Sequence, residues 1–292
     1  MPSPRQAPPR PTTPGTALVV GASGTTGRRV VPPLLAAGLR VRAASRRATP
    51  VPGAEPVPFD WHRQDTHEPA LAGVDRLYLV PPPGDPDPAA VMLPFLTRAR
   101  AAGVARVALL SSSAIPADGP AVGVVHRALP GLFDEWAVLR PSWFMQNFTG
   151  EHAHARSARD EGALLTATGS GRVGFVDADD IAAVAAEALS ATRAPNTDLV
   201  LTGPEALGYD DVAAILTEVT GRPVVHRRLT VEQLAARLAP QLGAEFGALL
   251  AGLDEAIAAG AEDRVTDTVQ RLTGRPPRDF RTVAARELAA AG

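Results

Sequence analysis

Short apolar runs alternate with segments of helical periodicity through the first half of the chain. The run at 16–20 leads into a glycine-rich turn, and apolar residues then recur at helical spacing over 28–37, ahead of Gly38. The same alternation predicts further strands at 39–44, 55–59, 76–80, 105–110 and 136–139, and helices at 68–72, 89–102 and 122–129. Strands and helices that alternate at these lengths predict an α/β fold, namely a Rossmann-type doubly wound parallel sheet with right-handed crossovers.

The second half of the chain is less regular and more helical. It predicts short strands at 173–176 and 198–201, helices at 181–190 and 209–220, and a mostly helical segment from 231 onward. Asp179 and Asp180 directly precede the helix at 181–190, where an acidic side chain caps free amides. The alternative interpretation is that these two residues and Asp177 together bind a cation.

Three parts of the chain are expected from this pattern. A Rossmann domain that binds a nucleotide covers 16–150, and 151–292 supply the remaining Rossmann elements and a smaller, mostly helical C-terminal substrate lobe. Residues 1–15 are rich in Pro and Arg and lack an apolar stretch, so we expect a flexible tail rather than a secretory signal.

The turn after the first strand has the sequence GASGTTG, with Gly21, Gly24 and Gly27 at the spacing G-x-x-G-x-x-G. Between a strand and a helix, such glycines let the backbone turn tightly and approach a pyrophosphate, which the helix N-terminus then binds. Asp60, after the third strand, is a candidate acceptor for the adenine amino group or else a turn residue. The turn therefore predicts a dinucleotide site, against the alternative of a glycine-rich turn in an unrelated sheet protein.

Side chains near this turn indicate which dinucleotide is bound. Ser23, Thr25 and Thr26 lie between the glycines and add hydroxyl groups for the phosphates. Arg46 and Arg47 follow the second strand, where an NAD site carries an acidic residue for the ribose 2′-hydroxyl. A guanidinium binds a 2′-phosphate through paired hydrogen bonds, whereas a carboxylate repels it. NADP(H) is therefore the predicted cofactor, although one of the two arginines can equally be a solvated surface residue.

Composition restricts the chemistry further. With a net charge of −2 and no apolar run long enough to span a membrane, we expect a cytoplasmic protein with a small-molecule substrate and no nucleic-acid or membrane partner. The absence of Cys excludes disulfides and thiolate sites. All 29 basic Lys or Arg positions are Arg, and the two tyrosines are Tyr78 and Tyr209.

Several segments together resemble one family. The chain carries GASGTTG at 21–27, FDW at 59–61, YLVPP at 78–82, ALLSSS at 108–113 and LRPSWFMQNF at 139–148. With these motifs it resembles the NmrA-like atypical short-chain dehydrogenase/reductases. The segments at 167–185, 202–216 and 253–280 resemble the branch that includes the fungal ergot-alkaloid reductases, which form festuclavine and agroclavine. Membership of this branch implies a similar fold and not a particular substrate.

The resemblance implies positions for residues beyond the glycine turn. Val80 and Pro81 would pass beside the cofactor, and Ser111–Ser113 would lie near the nicotinamide. Pro141 would contact the cofactor, and the segment 141–144 that it begins would border the substrate pocket.

The proton relay of ordinary short-chain dehydrogenases is missing. Those enzymes use Tyr-x-x-x-Lys, and the distance from the LRP segment places the two positions near Val122 and His126. Reduction of a ketone puts negative charge on oxygen, whereas hydride addition to an iminium ion gives a neutral amine and needs no proton donor. We therefore expect NADPH-dependent reduction of an iminium or similarly activated C=N or C=C bond in a small organic molecule. The resemblance to the ergot-alkaloid reductases favours the same chemistry and an alkaloid-like natural product as substrate.

Few side chains remain as candidates for catalysis. His126 is the candidate acid, with a histidine on the helix surface as the competing interpretation. Ser112 and Ser113 are candidates to hydrogen-bond the substrate or the nicotinamide ribose, or else they cap the end of their strand. His152 and His154 are expected to form an exposed polar turn, and no metal site is predicted.

The segment after the strand at 136–139 supplies the candidate substrate pocket. Trp143, Phe144 and Met145 are suited to pack on a flat organic molecule, in part through cation–π contact, although such residues are also ordinary core material. Gln146 and Asn147 are candidate polar anchors. Two other functions stay open: a non-catalytic NADP(H) sensor that binds a partner protein, and a quinone or azo reductase that takes its proton from solvent.

Overall fold

A computed structural model describes residues 15–290. In chain order the strands are β1 (Thr16–Val20), β2 (Arg40–Ser45), β3 (Glu55–Pro58), β4 (Arg76–Leu79), β5 (Arg106–Leu110), β6 (Glu135–Pro141), β7 (Ala163–Thr166), β8 (Arg172–Val173), β9 (Thr197–Leu201), β10 (Leu207–Gly208) and β11 (Val225–Arg228). Seven of them form one parallel sheet in the order β3-β2-β1-β4-β5-β6-β9. This sheet confirms the predicted α/β class, and its order changes direction between β1 and β4, where sheets of this kind bind ligands.

Helices cover both faces of the sheet. In chain order they are α1 (Gly27–Ala36), α2 (His67–Leu71), α3 (Ala89–Ala101), α4 (Val122–Leu132), α5 (Ala153–Glu161), α6 (Ala178–Ser190), α7 (Tyr209–Thr220), α8 (Val231–Leu242), α9 (Ala244–Ala258), α10 (Thr268–Thr273) and α11 (Phe280–Ala289). α1 and α6 pack together on one face, and α3 and α4 pack together on the other. The doubly wound arrangement is therefore confirmed.

Side chains of β1 divide the core of the sheet into two layers. Ala17 and Val19 belong to the apolar cluster with α1 and α6, whereas Leu18 and Val20 belong to the cluster with α3 and α4. Successive side chains of a strand point to opposite faces, so a strand covered on both faces is apolar at every position. This is why the run TALVV predicts a central strand.

The C-terminal lobe combines two small sheets with helices. β7 pairs with β11 in parallel, and β8 pairs with β10 in antiparallel orientation. An aromatic cluster that includes Phe148, Phe175, Tyr209 and Phe280 forms its core. α6 and β9 complete the layers of the main sheet, so the part of the chain after residue 150 contributes to both regions. The domain boundary near 150 stays a prediction.

Two predicted elements differ from those observed. The strand expected at 173–176 is shorter, because after β8 the backbone of Val176 instead bonds the Trp143 carbonyl beside the main sheet. α6 begins at Ala178, and Asp177 rather than Asp179 or Asp180 is its N-cap, with its carboxylate accepting from the Asp179 amide. Local sequence favours all three acids as caps, and the tertiary contacts of Asp177 decide among them.

Other features were not anticipated or lie outside the described residues. α5 was missed because its sequence, AHARSARDE, is strongly polar and buries only Ala155. The tail predicted for 1–15 lies outside the described residues except for Gly15. Within residues 15–290, no helix combines the length and apolar character needed to cross a bilayer.

Candidate functional site

The glycine turn after β1 leaves no room for side chains. Gly21 has φ +76°, and a Cβ atom there would lie 3.2 Å from the Cβ of Val80. A Cβ atom on Gly27 would lie 2.2 Å from the Gly21 carbonyl oxygen, and one on Gly24 would lie 3.2 Å from the same oxygen. Gly27 therefore allows α1 to begin directly against the turn, and the turn keeps the smooth backbone that a pyrophosphate needs.

The first turn of α1 is arranged for an anion. Thr26 is its N-cap but makes no side-chain capping bond, and no acidic residue occupies the first helical turn. Ser23, Gly24 and Thr25 are exposed, whereas Thr26 is 4% exposed. Amides at the start of a helix carry partial positive charge. The backbone here therefore fits phosphates, with the hydroxyls of Ser23 and Thr25 accessible beside them.

A pocket of about 380 Å³ opens beside the same turn. Its lining residues are Ser23, Ser45, Arg46, Arg47 and Thr49, so it contains two guanidinium groups and no acid. The Ser45 hydroxyl accepts a hydrogen bond from the Thr49 amide at 2.9 Å, which fixes the loop that carries the arginines. This is the arrangement expected for a ribose 2′-phosphate, because guanidinium pairs with phosphate through two parallel hydrogen bonds.

Selectivity for the 2′-phosphate should depend on these arginines. In the double variant Arg46→Ala/Arg47→Ala we expect the Kd for NADPH to rise by about 10- to 100-fold, since charged hydrogen bonds contribute roughly 1.5–3 kcal/mol. The Kd for NADH should change less than about threefold, because NADH lacks the phosphate. Fluorescence titration of both dinucleotides measures this, with Arg222→Ala, an exposed arginine of the C-terminal lobe, as the control. Equal weakening of NADPH and NADH would contradict the assignment.

Asp60 and Val80 lie on neighbouring loops near the glycine turn. The Asp60 carboxylate accepts from the His62 amide at 2.9 Å, which is a turn interaction, and its contact to adenine stays a prediction. The Val80 carbonyl accepts from the Trp61 indole at 3.1 Å, and the Val80 side chain packs against Gly21. Val80 and Pro81 thus follow β4 at the carboxyl edge of the sheet, where the resemblance places the cofactor.

The carboxyl ends of β5 and β6 hold a buried carboxylate. Ser113 and Ser142 donate hydroxyl hydrogen bonds of 2.8 and 3.1 Å to Glu262 Oε2. Glu262 is only 4% exposed, and its other oxygen lies 3.3 Å from the guanidinium of Arg264. The Ser111 hydroxyl is buried with no hydrogen-bond partner among residues 15–290. This edge therefore holds a buried carboxylate, paired with Arg264 through its other oxygen, and one unsatisfied hydroxyl, beside the buried end of β6 at Pro141.

The other predicted catalytic side chains take different positions. Ser112 accepts from the Ala114 amide at 3.2 Å, which fits the capping interpretation. His126 is 5% exposed, so a surface histidine is wrong, and burial lowers its pKa. It makes no hydrogen bond to Ser112 or Ser113 within the described chain, and Arg140 donates to the carbonyls of both serines instead. A proton-donating role for His126 stays a prediction, and its geometry does not support it.

Neither tyrosine replaces the missing relay at this edge. Tyr78 lies inside the core, and burial raises the pKa of its phenol well above the usual value. Tyr209 lies in the C-terminal lobe at the start of α7, where burial and the nearby Asp254 raise its pKa as well. Val122, at the position expected for the catalytic tyrosine, is a buried apolar residue at the start of α4.

A second cavity, of about 350 Å³, lies within the C-terminal lobe. We call it the lobe cavity; its walls include Trp143, Asn147, His154, Tyr209 and Asp254, together with leucines of α8 and α9. Two of the four predicted substrate residues, Trp143 and Asn147, therefore line it.

The other two predicted substrate residues lie elsewhere. Met145 is 2% exposed and belongs to the apolar cluster that contains Phe175. It is therefore a core residue of the lobe, which corrects the predicted contact with substrate. Phe144 packs against the cluster beneath the sheet, on the side of α1 and α6. Gln146 donates to Asp177 at 2.7 Å and accepts from the Ala178 amide, so it holds α6 rather than a substrate.

Acidic and histidine clusters elsewhere are accounted for by protein contacts. Asp177 and Asp180 pair with Arg278, and Asp177 also pairs with Arg286, so guanidinium groups occupy the positions where a cation site was considered. His152 caps α5 with its ring nitrogen. His154 stacks on Phe148, with 5.3 Å between ring centroids, so it is not the exposed turn residue that was predicted.

Comparison with known proteins identifies the family. A family model described as NAD(P)H-binding matches residues 21–129. The chain is 44% identical over 269 residues to the uncharacterized oxidoreductase YesF of Bacillus subtilis (strain 168), across 92% of this chain and 93% of YesF. It is 39% identical over 275 residues to agroclavine dehydrogenase of Claviceps fusiformis, across 91% and 94% of the two chains. The chain belongs to the NmrA-like atypical short-chain dehydrogenase/reductases.

A solved structure extends this similarity to the whole fold. Triphenylmethane reductase of Citrobacter sp., in complex with NADP(H), matches with a TM-score of 0.75 and 25% identity, across 94% of this chain and 100% of that chain. The predicted family is thus confirmed, and this NmrA-like protein is an NAD(P)H-dependent oxidoreductase. Its glycine turn lies within the segment that the family model matches.

Sequence reasoning missed two carboxylates, Glu262 and Asp254. Glu262 follows α9 in a loop within the segment 253–280, whose resemblance to the ergot-alkaloid branch did not single out either acid. Asp254 carried a usable signal: it lies three residues after Ala251 and three before Ile257, both fully or nearly fully buried. An acid at an apolar-face position of an amphipathic helix marks a buried charge, which needs a partner or a function.

Proposed function

We propose that this protein is an NADPH-dependent reductase that delivers hydride to an iminium, or to a similarly activated C=N or C=C bond, of a small organic molecule. The observation that carries the proposal is the buried carboxylate of Glu262, held by Ser113 and Ser142 at the carboxyl edge of the sheet. At this edge ordinary short-chain dehydrogenases have a proton donor.

The residues present fit NADP(H). The turn at 21–27 and the start of α1 would hold the pyrophosphate, Arg46 and Arg47 would hold the 2′-phosphate, and the unpartnered Ser111 hydroxyl is available beside the nicotinamide. When bound, the reduced dinucleotide supplies a hydride. The protein side chains then determine which acceptor is bound, how it is oriented and how well its charge is tolerated.

Glu262 favours cationic acceptors over carbonyls. A ketone gains negative charge on oxygen as it is reduced, and a buried carboxylate nearby raises the energy of that charge because the interior screens it poorly. An iminium ion is attracted to the same carboxylate, and its reduction yields a neutral amine without a proton donor. The lack of a Tyr–Lys relay and the presence of Glu262 therefore support the same class of acceptor.

The variant Glu262→Gln tests this proposal. Its amide oxygen can still accept from both serines, but the charge is removed. With NADPH in excess, we expect kcat/KM for a cyclic iminium such as N-methyl-3,4-dihydroisoquinolinium to fall by about 10- to 100-fold, as expected for loss of a nearby buried charge. Turnover of a neutral quinone should be unchanged or faster, because the carboxylate disfavours the negative charge that reduction puts on the quinone oxygen. The exposed Glu245→Gln on α9 is the matched control.

The same assays separate the other two functions. If the wild-type protein reduces quinones or azo dyes but no iminium, the quinone or azo reductase is favoured and the iminium proposal fails. If it binds NADPH but oxidises it with none of these acceptors, the sensor is favoured. The lobe cavity supports a reductase, since a protein that senses only the dinucleotide needs no second cavity for an organic molecule.

A further inference from the structure

The lobe cavity has a mixed wall that suits one kind of ligand. Trp143, His154 and Tyr209 present aromatic rings, and leucines of α8 and α9 add aliphatic surface. Its volume of about 350 Å³ is within the range of small-molecule sites. Such walls bind a flat apolar body, and the polar groups among them determine which functional group the body carries.

Asp254 is the least exposed of the three acids that line this cavity. Its Oδ2 accepts one hydrogen bond, from the Ala167 amide at 2.8 Å, and no ion pair joins it to another of residues 15–290. Burial raises its pKa to about 6, so the carboxylate is mostly ionised at neutral pH. A half-buried carboxylate with a single hydrogen bond from the protein keeps acceptor capacity that a cationic ligand in the cavity can use.

The neighbouring groups do not neutralise Asp254. Burial and the two nearby histidines lower the pKa of His154 to about 3, so its ring is uncharged at neutral pH. The Arg237 guanidinium, also on the cavity wall, is bonded to Glu161. Tyr209 remains protonated because burial and Asp254 raise its pKa. The charge of Asp254 is therefore available to a ligand.

The aromatic ring of Trp143 forms part of the cavity wall, whereas its indole N–H is buried and forms no hydrogen bond with any described residue. Its ring faces the cavity directly after Ser142, which donates to Glu262. Trp143 therefore links the lobe cavity to the carboxyl edge of the sheet, and the face of its ring is a surface on which an organic cation can stack.

We propose that the lobe cavity binds organic cations and that Asp254 is the residue that contacts the positively charged nitrogen. The ligand class is an amine or iminium attached to a flat apolar ring system. This inference rests on the proposed function only where it identifies the substrate as the ligand of the lobe cavity. Binding of a cation to the cavity can be measured without any reaction. Asp254 forms the contact, whereas the more deeply buried Glu262 acts on the reacting bond through its field.

Calorimetry with three matched probes tests the assignment. The probes are 1-(aminomethyl)naphthalene, which is cationic at pH 7.5, neutral 1-naphthalenemethanol, and anionic 1-naphthoate. With the full chain in excess NADPH, and again without dinucleotide, we expect the amine to bind at least about tenfold more tightly than the alcohol, and the naphthoate most weakly. In Asp254→Asn the preference for the amine over the alcohol should disappear, while the affinity for the alcohol is retained.

Two controls make the result specific. Asp254→Asn keeps an oxygen for the Ala167 amide, and its thermal unfolding should match that of the wild type or occur at higher temperature. Glu255→Gln removes an exposed acid of α9 that does not line the cavity, and it should leave the amine preference intact. Equal affinity of the wild type for amine and alcohol, or a preference that survives in Asp254→Asn, overturns the assignment.

Failure of this inference is distinguishable from failure of the proposed reduction. If the amine preference depends on Asp254 but no iminium is reduced, the cation site stands and the proposed reaction fails. If iminium ions are reduced with a KM that is the same in Asp254→Asn and wild type, the reaction stands and the cation site is wrong.

Discussion

Replacing Gly27 by Ala should raise the Kd for NADPH by about 100-fold or more. The added Cβ atom would lie 2.2 Å from the Gly21 carbonyl oxygen, and this neighbour is backbone, so the turn itself must move. Movement of the turn separates the amides of α1 from the pyrophosphate, and each charged hydrogen bond lost removes roughly 1.5–3 kcal/mol of binding. Fluorescence titration with NADPH and NADH measures the effect, which should be similar for both.

Two further glycine-to-alanine variants provide comparisons for Gly27→Ala. Gly24→Ala brings a Cβ atom to 3.2 Å from the same oxygen, so a shift of a few tenths of an ångström suffices and we expect a loss of about tenfold. Gly131→Ala, late in α4, meets no atom within 4 Å and should leave binding unchanged. An order of effects other than Gly27, Gly24, Gly131 would show that the turn does not contact the dinucleotide. Circular dichroism establishes that each variant is folded.

Replacing Asp177 by Ala should lower the free energy of unfolding by about 3–5 kcal/mol. Its carboxylate is completely buried, caps α6, and accepts from Gln146 at 2.7 Å. It also pairs with Arg278 and Arg286 of the C-terminal segment. Removal of the carboxylate leaves a cavity and takes the acceptor away from Gln146 and from the start of α6, while Arg278 keeps only Asp180 and Arg286 keeps Asp179 and Glu287. Urea denaturation followed by circular dichroism provides the measurement.

Asp179 is the matched control for Asp177. It lies two residues away and pairs with Arg29 at 2.9 Å, but its side chain is 33% exposed. Exposed or partly exposed ion pairs typically contribute about 0–1 kcal/mol, so Asp179→Ala should have a small effect. Comparable losses in both variants would argue that the acidic cluster acts as a whole rather than through the buried member.

Local sequence predicts the nucleotide half well because its determinants are local. The all-apolar run of β1, the glycine turn and the arginines after β2 lie within about thirty consecutive residues, and each has its own geometric signature. The predicted bounds of these first six strands differ from the observed bounds by at most two residues at either end. The structure places Arg46 and Arg47 on one pocket with Ser23, as their order along the chain suggests.

The buried carboxylate at the carboxyl ends of β5 and β6 is harder to predict because segments distant in sequence form its surroundings. Glu262 reaches Ser113 across 149 residues and Ser142 across 120 residues. No periodicity or motif near Glu262 indicates those partners. His126 illustrates the opposite error: its spacing from the LRP segment suggested a catalytic position, but burial beside Arg140 and Asp198 gives it a place in the core. Likewise, Met145 and Trp143 are only two residues apart, and the sequence does not show that Met145 lies in the core whereas Trp143 lines the lobe cavity.

The long separation between Glu262 and its two serines also determines the order in which parts of the site can form during synthesis of the chain. The glycine turn, both arginines and the first six strands have left the ribosome before Glu262 is made. A growing chain can therefore acquire its dinucleotide site well before the carboxylate arrives at the sheet. Truncation ahead of residue 262 would remove this carboxylate along with the loop that carries it. The turn predicted to bind the dinucleotide and the carboxylate proposed to select the acceptor thus lie far apart along the chain, and either segment can change in sequence without a change in the other.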